Sequence, residues 1–200
     1  MAETTTRGRP RSFDRAAALE HALEQFWRYG YEATSISMLT KAMGISPPSL
    51  YAAFGDKRTL FREVVGHYAE TWGRYGTRPL AEEATARAAV ERILRAAAEE
   101  YTNPVHPPGC LVISGATNVA EADTDVKQEL RAYRERAKLA ITAKIAAEVE
   151  AGLLPPDTDA AALGSFYASV IQGMNAQAVD GAGRPELNRI AETAMLAWPR

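Results

Sequence analysis

The chain has 200 residues, 46% hydrophobic and 24% charged, which is typical of a soluble globular protein of one or two small domains. No apolar run approaches the roughly 18 residues that span a bilayer, and the first residues lack the apolar part of a signal peptide, so we expect a cytoplasmic protein. A formal net charge of −2 and one cysteine, Cys110, exclude an extended basic surface, a disulfide framework and a cysteine-rich zinc site.

The charge is unevenly distributed along the chain. Residues 1–62 hold nine Lys and Arg against six Asp and Glu, whereas residues 63–200 hold fourteen against nineteen. Three of the basic residues, Arg7, Arg9 and Arg11, lie in a polar N-terminal segment. That segment is either a solvated tail or an arm that lies along phosphates or in a minor groove. A locally basic unit is what phosphate binding requires.

Apolar residues at helical spacing predict a first long helix that begins after Ser12 and ends at Gly30. We expect this helix to support the two short helices that follow. Thr34 is predicted to cap the first of them, and the hydroxyls of Thr34 and Ser35 are candidate phosphate contacts, although capping alone would explain Thr34.

The segment from Ser35 to Lys57 predicts two short helices joined by a tight turn. Ile36, Leu39 and Met43 recur at helical spacing, and Gly44 follows where a helix end favours positive φ. Ser46 is a suitable N-cap, and the proline that follows it stands at the first helical position, where its missing N–H costs nothing. The short connection containing Gly44 is of helix-turn-helix length.

The rest of the chain is also predicted to be helical, and no strand pattern is present. The predicted helices are Lys57 to about Tyr75, Glu82–Tyr101, Cys110–Ala120, Asp125 to about Ala151, Thr158–Val179, and Pro185 to about Trp198. The sequence therefore predicts an all-α protein with a three-helix helix-turn-helix domain at residues 1–62 and a second helical domain at residues 63–200. The helix from Lys57, close to 30 Å long, is expected to link them.

The helix-turn-helix segment resembles the DNA-binding segment of the tetracycline-repressor (TetR) family. In that family a short recognition helix ends in L-Y-x-x-F and a lysine follows shortly after, which here are Leu50, Tyr51, Phe54 and Lys57. The resemblance runs from about Arg11 to Val65, and beyond residue 75 it is limited to helical character, length and a G-C-L segment seen in some members.

The exposed residues at the start of the second short helix are candidates for base contact, and the prolines can pack on a thymine methyl. The resemblance implies that Tyr51 and Lys57 contact phosphates. The candidate DNA-binding residues are Thr34, Ser35, Ser46, Pro47, Pro48, Ser49, Tyr51 and Lys57.

The last two helices are the candidate dimer surface, because a helix-turn-helix unit covers one half-site and usually works as a dimer on a palindromic operator. Small residues at Gly164, Ala168 and Gly173 allow close helix approach. The apolar candidates are Phe166, Val170, Ile171, Leu187 and Ile190. The alternative is that these are ordinary core residues; the resemblance also implies a homodimer.

The resemblance further implies that the middle helices enclose a pocket for a small-molecule effector. Candidate lining residues are His67, Trp72, Tyr75, Tyr101, Cys110, Asn118, Tyr167 and Asn175, each of which singly could be a core or surface residue instead. This mixed lining suits an organic molecule and not a metal ion, because no His, Asp and Glu cluster has ligand spacing. We therefore expect neither a metal nor a cofactor.

Cys110 follows a Pro-Pro-Gly loop near a predicted helix start, with His106 close in sequence. The cysteine is either an oxidant or electrophile sensor or a buried small hydrophobe. An enzyme with Cys110 as nucleophile and His106 as base is disfavoured, because the loop between them prevents a shared helix face. An architectural DNA binder is disfavoured by the acidic residues 63–200. The favoured function is a ligand-responsive transcriptional regulator, most simply a repressor.

Overall fold

The computed structural model describes residues 13–115 and 119–199, and every secondary-structure element within these ranges is helical. The N-terminal helices are α1 (Arg15–Ala33), α2 (Ile36–Met43), α3 (Pro47–Phe54) and α4 (Lys57–Glu70). The later helices are α5 (Arg78–Glu82), α6 (Ala86–Glu100), α7 (Leu111–Ser114), α8 (Thr124–Glu150), α9 (Ala160–Val179) and α10 (Arg184–Ala194). Short 3₁₀ turns lie at Trp72–Gly76, Glu121–Asp123 and Met195–Ala197.

Local capping explains why the two short helices form where the sequence predicted them. The Ser46 hydroxyl accepts the Ser49 N–H at the start of α3, and the Asp56 carboxylate accepts the Thr59 N–H at the start of α4. Gly44 ends α2 in the left-handed region at φ 64°, which only glycine adopts without strain.

Two predicted caps are wrong. Asp14, and not Ser12, caps α1, because its carboxylate accepts the N–H groups of the first helical turn; Ser12 lies outside the described residues. Ser35, and not Thr34, caps α2 by accepting the Met38 N–H at 3.1 Å. Gly30, where the first helix was predicted to end, has the non-helical angles φ 74° and ψ 173°, and after this kink a short helical segment continues to Ala33.

The linking helix is shorter than predicted. α4 has 14 residues, about 21 Å, and ends at Glu70 instead of near Tyr75. The Thr71 hydroxyl donates to the His67 carbonyl at 2.7 Å, and the chain then turns back so closely over Tyr68 that a Cβ on Gly73 would lie 3.0 Å from its ring. Packing against the Tyr68 ring therefore ends the helix.

The predicted helix Cys110–Ala120 is also much shorter, since α7 has only four residues. The Gly115 N–H donates to the Leu111 carbonyl at 2.7 Å, while the Gly115 carbonyl accepts the Tyr31 N–H at 2.8 Å. The kink at Gly30 releases the Tyr31 N–H for this bond, and residues 116–118 lie outside the described ranges. The predicted helix Glu82–Tyr101 is divided into α5 and α6, because Thr85 caps a new helix.

One continuous core runs through both halves of the chain. Phe26 and Tyr31 of α1 pack edge-to-face on Phe61 of α4 at 5.0 and 5.1 Å, and Trp27 packs on Tyr68 at 4.9 Å. In the C-terminal part α8 packs along α9, where Gly164 lies directly against Thr142. Among the described helices none is long and apolar enough to cross a bilayer.

Candidate DNA-binding surface and ligand cavity

The start of α3 presents a small polar surface to solvent. Ser46, Pro47 and Pro48 are exposed, and the Tyr51 side chain one turn later is 50% exposed. Leu50 and Phe54 of the same helix are buried and hold it against the other N-terminal helices. The helix therefore has one face fixed by the core and one face that can enter a groove.

Two hydroxyls at this helix start are already paired with each other. The Ser46 and Ser49 oxygens lie 2.9 Å apart, and Ser49 is half-buried, unlike its exposed neighbours. This contact joins the two serine side chains across the first turn of α3. Ser35 is exposed at the start of α2.

Thr34 lies in the interior and does not belong to the exposed surface. Its side chain is 0% exposed, and its hydroxyl donates to the Gly30 carbonyl at 2.6 Å. The hydroxyl thus satisfies a carbonyl at the kinked end of α1. We therefore remove Thr34 from the candidate phosphate contacts.

Lys57, the first residue of α4, lies over the ring of Tyr31. Its Nζ is 4.3 Å from the ring centroid and donates to the Glu32 carbonyl at 3.4 Å. Burial lowers the pKa of Lys57, partly offset by the charges of Glu32 and Asp123. The lysine is held close to the N-terminus of α4, where free N–H groups also favour an anion.

An ion-pair group that the sequence analysis missed joins α4 to the start of α8. Arg58 donates to Asp125 at 2.7 Å and to Asp123 at 2.8 Å, and Arg62 donates to Glu129 at 2.6 Å. The Tyr31 hydroxyl also donates to Asp123 at 3.3 Å. These partners are more than 60 residues apart in the sequence, so no local pattern pointed to them.

A partly open cavity of about 140 Å³ lies among α4 and the helices of the C-terminal part. Its lining comes from α4, the turn that follows it, α6, the α7 region, α8 and α9. The lining residues are Tyr68, Ala69, Gly73, Tyr75, Gly76, Thr77, Ile93, Cys110, Val112, Ile113, Tyr133, Arg134, Ala137, Lys138, Ile141, Ala168, Ile171 and Gln172.

Of the predicted lining residues, Tyr75 and Cys110 line this cavity. Tyr101 stands behind Tyr75, with their hydroxyl oxygens 2.8 Å apart. Burial raises the pKa values of Tyr75 and Tyr101 well above normal, so both remain neutral hydroxyl donors.

Four other predicted lining residues are wrong, because each side chain is engaged elsewhere. His67 pairs with Glu20, Trp72 packs on His106, and Tyr167 packs on Trp198. The Asn175 Oδ1 accepts the backbone N–H of Cys110 at 2.6 Å and lies behind the cavity wall. Asn118 lies outside the described residues.

The Cys110 thiol accepts the Tyr68 hydroxyl at 3.2 Å, and the cysteine is 5% exposed. His106 is not its partner. Both ring nitrogens of His106 face other oxygens, Glu100 at 3.0 Å and the Pro107 carbonyl at 2.8 Å, and its ring stacks on Trp27 at 4.2 Å. Burial lowers the pKa of His106, but these oxygens outweigh it and the net pKa is raised. A Cys–His nucleophile pair is therefore absent from the geometry of these residues.

The predicted dimer surface needs four corrections. Leu187 is fully buried within its own chain, and Ala168 and Ile171 line the cavity. Gly164 packs directly against Thr142 of α8. Phe166 is 40% exposed, and Val170 and Ile190 are partly exposed. An open face of α9 remains at Ala162, Phe166, Ser169, Gly173 and Ala176.

Comparison with protein families gives two matches on this chain. Residues 18–64 match the family described as bacterial regulatory proteins, tetR family, and residues 86–185 match the tetracyclin repressor-like C-terminal domain. The first match contains α2, α3 and most of α4, and the second contains most of the cavity lining.

Individual relatives agree with the family matches. The HTH-type transcriptional repressor ComR of Escherichia coli K12 is 33% identical over 195 residues, 97% of this chain and 93% of the relative. The repressor BdcR of the same organism is 28% identical over 95% of this chain and 90% of the relative. A solved structure of a cysteine mutant of the TetR family regulator CifR, complexed with 26-base-pair operator DNA, has a TM-score of 0.92 and 40% identity, covering 96% of this chain and all of that one.

Proposed function

The chain belongs to the TetR family of bacterial regulatory proteins, and from that premise we propose that it is a cytoplasmic homodimeric repressor released from a palindromic operator by a small organic effector. The observation that carries the proposal is the position of α4. Lys57, at its first residue, stands three residues after the end of α3, and Tyr68 and Ala69, in its last turn, line the cavity. One rigid helix thus has one end at each site.

The DNA contacts fall into two kinds. Ser35, Tyr51 and Lys57 contact phosphates and position the protein, whereas Ser46, Pro47, Pro48 and Ser49 at the start of α3 face the base edges in the major groove. Sequence preference is therefore expected to depend on α3.

The dimer forms through the open face of α9. Phe166, Ser169 and Gly173 recur at helical spacing on that face and are exposed in the single chain. A Cβ on Gly173 would meet nothing within 4 Å in its own chain, which leaves room for a second helix. Two copies related by a two-fold axis place two α3 helices in successive major grooves, roughly 34–36 Å apart.

The switch has two connections from the cavity to the DNA-binding helices. The first is α4 itself. The second connection passes through Tyr31. Its N–H donates to the Gly115 carbonyl of the α7 region at 2.8 Å, and its ring contacts the Lys57 Nζ. An effector that prefers a shifted α7 or a tilted α4 changes the spacing of the two α3 helices. A coupling of ~1–3 kcal/mol weakens operator binding about 5- to 150-fold.

Selection of bound DNA from a random pool tests the proposal, followed by titration of the selected operator with and without candidate effectors. We expect a palindromic consensus and an effector whose affinity falls by the same factor when operator is present, because the coupling is reciprocal. If no consensus sequence is selected, the proposed binding to a specific operator is refuted. If the effectors bind with the same affinity in the presence and absence of operator, the proposed switch is refuted.

A further inference from the structure

Arg134 of α8 contributes a charged group to the largely apolar lining of the cavity. Its Nη1 donates to the Val112 carbonyl at 2.7 Å, which holds the guanidinium against the α7 region. Burial lowers the pKa of Arg134, and the nearby positive charge of Arg131 lowers it further. In the described part of the chain its one hydrogen bond is to that carbonyl, and no carboxylate pairs with it. A partly buried cation is thus left without a counter-charge.

The other polar groups of the lining are mostly donors. Neither Asp nor Glu is among the lining residues, and Lys138 already pairs with Glu135. In the Tyr75–Tyr101 pair one hydroxyl donates to the other, so the second keeps a proton that no hydrogen bond among the described residues uses. The cavity therefore offers the Arg134 guanidinium to an acceptor-rich ligand, and it also offers the Tyr75 hydroxyl proton when Tyr101 is the donor of the tyrosine pair.

The volume limits the size of that ligand. The cavity of about 140 Å³ is close to the ~150 Å³ of an engineered apolar cavity that binds benzene. Ile93, Ile113 and Ile141 provide an apolar wall for such a body. A long acyl chain or a nucleotide would have to enlarge this space or extend out of its open side.

We propose that the effector is a small organic acid with one carboxylate and an apolar body about the size of a benzene ring, with the carboxylate bound by Arg134. The inference rests on the proposed function, because it takes this cavity as the effector site. A guanidinium has five N–H donors in a fixed fork, and the Val112 carbonyl uses one, so two parallel N–H groups remain for a bidentate carboxylate. Pairing with the ligand carboxylate compensates the positive charge of Arg134, which is otherwise partly desolvated.

The test compares acids with neutral molecules of the same shape on the full-length protein. Benzoate and hexanoate are titrated by calorimetry against benzamide and hexanamide, with wild type, Arg134→Gln and Arg134→Lys. Lys127→Gln is the control, because Lys127 lies exposed on the same helix about two turns before Arg134. Circular dichroism melting establishes that each variant is folded.

We expect at least one acid to bind wild type about tenfold more tightly than its amide, the difference expected for a charge-assisted pair. Arg134→Gln should remove this preference while leaving amide binding nearly unchanged. Arg134→Lys should keep part of the preference, and Lys127→Gln should keep it fully. Equal affinities for acid and amide in wild type, acid binding unaffected by Arg134→Gln, or no acid binding in the millimolar range would each overturn the inference.

Operator release is measured in parallel, so that failure of the acid assignment can be distinguished from failure of the proposed repressor function. A neutral molecule that binds the cavity and releases operator overturns the acid assignment and leaves the repressor function intact. An acid that requires Arg134 but does not affect operator binding supports the chemistry of the cavity and refutes the switch.

Discussion

Replacing Gly164 by alanine should force α8 and α9 apart beside the cavity. A Cβ at this position would overlap Thr142 Oγ1 and would lie 3.1 Å from Thr142 Cβ and 3.3 Å from its Cα. The last two atoms cannot be moved away by rotating the Thr142 side chain. Relief therefore requires a shift of the two helices, which carry Arg134 and Ile171 of the cavity wall.

The magnitude follows from two opposing effects. Overpacking of a well-packed core typically costs ~1–3 kcal/mol, while alanine in place of glycine in a helix returns up to ~1 kcal/mol. We expect a net loss of ~1–2 kcal/mol in the free energy of unfolding. For a chain of this length each kcal/mol corresponds to about 2–4 °C, so the melting temperature should fall by about 2–8 °C.

The assay is a double-mutant cycle with Thr142→Ala, followed by thermal and urea unfolding at one fixed protein concentration. Thr142→Ala removes Oγ1 but leaves Cβ and the backbone, so it should restore part of the loss caused by Gly164→Ala. Gly66→Ala in α4 is the matched control, because a Cβ there would meet nothing within 4 Å. That variant should be more stable than wild type by up to ~1 kcal/mol.

Equal stability of Gly164→Ala and Gly66→Ala would refute the predicted close packing of α9 on α8. Simple additivity of the effects of Gly164→Ala and Thr142→Ala on the free energy of unfolding would also refute it, because the predicted clash is between these two residues.

Further predictions concern DNA, pH and assembly. Lys57→Ala should reduce the slope of log affinity against log salt by about one unit without changing the selected operator, whereas Ser49→Ala should change the selected sequence at about one or two base pairs per half-site. The pKa of His106 is higher in the folded chain than its value of about 6.5 in the unfolded chain, so protonation of His106 favours the fold. This stabilisation is complete when the pH lies below the unfolded pKa, and it is lost as the pH rises through the folded pKa. Urea unfolding across that range should show the loss in wild type and not in His106→Asn. Phe166→Glu should dissociate the dimer in sedimentation, whereas Leu153→Glu, at a more exposed apolar residue, should not.

Each of these has an outcome that contradicts it. An altered consensus with Lys57→Ala would make this lysine a base contact, and an unaltered one with Ser49→Ala would remove that serine from base recognition. An equal pH dependence of unfolding in wild type and His106→Asn would assign the titration to another group. A dimer of undiminished stability in Phe166→Glu would place the interface elsewhere.

The sequence by itself determined the helix-turn-helix unit. The ends of α2 and α3 depend on Gly44, Ser46 and Asp56, whose effects act within about one helical turn. Interactions of such short range are visible in the residue order. The apolar spacing that buries Leu50 and leaves Tyr51 exposed is equally local, so both residues are placed as predicted. The division of the chain near residue 62 stays a prediction.

Only the tertiary structure decided where α4 ends, how short α7 is, and which residues line the cavity. α4 ends where Gly73 packs on Tyr68, and α7 ends where Gly115 bonds to Tyr31, more than 80 residues away in the chain. The long helix α8 carries charged residues on several faces, and its spacing does not show which of them points inward. The placement of Arg134 against Val112 comes from the packing of α8 on α7, since contacts between residues distant in sequence leave no periodic pattern to read.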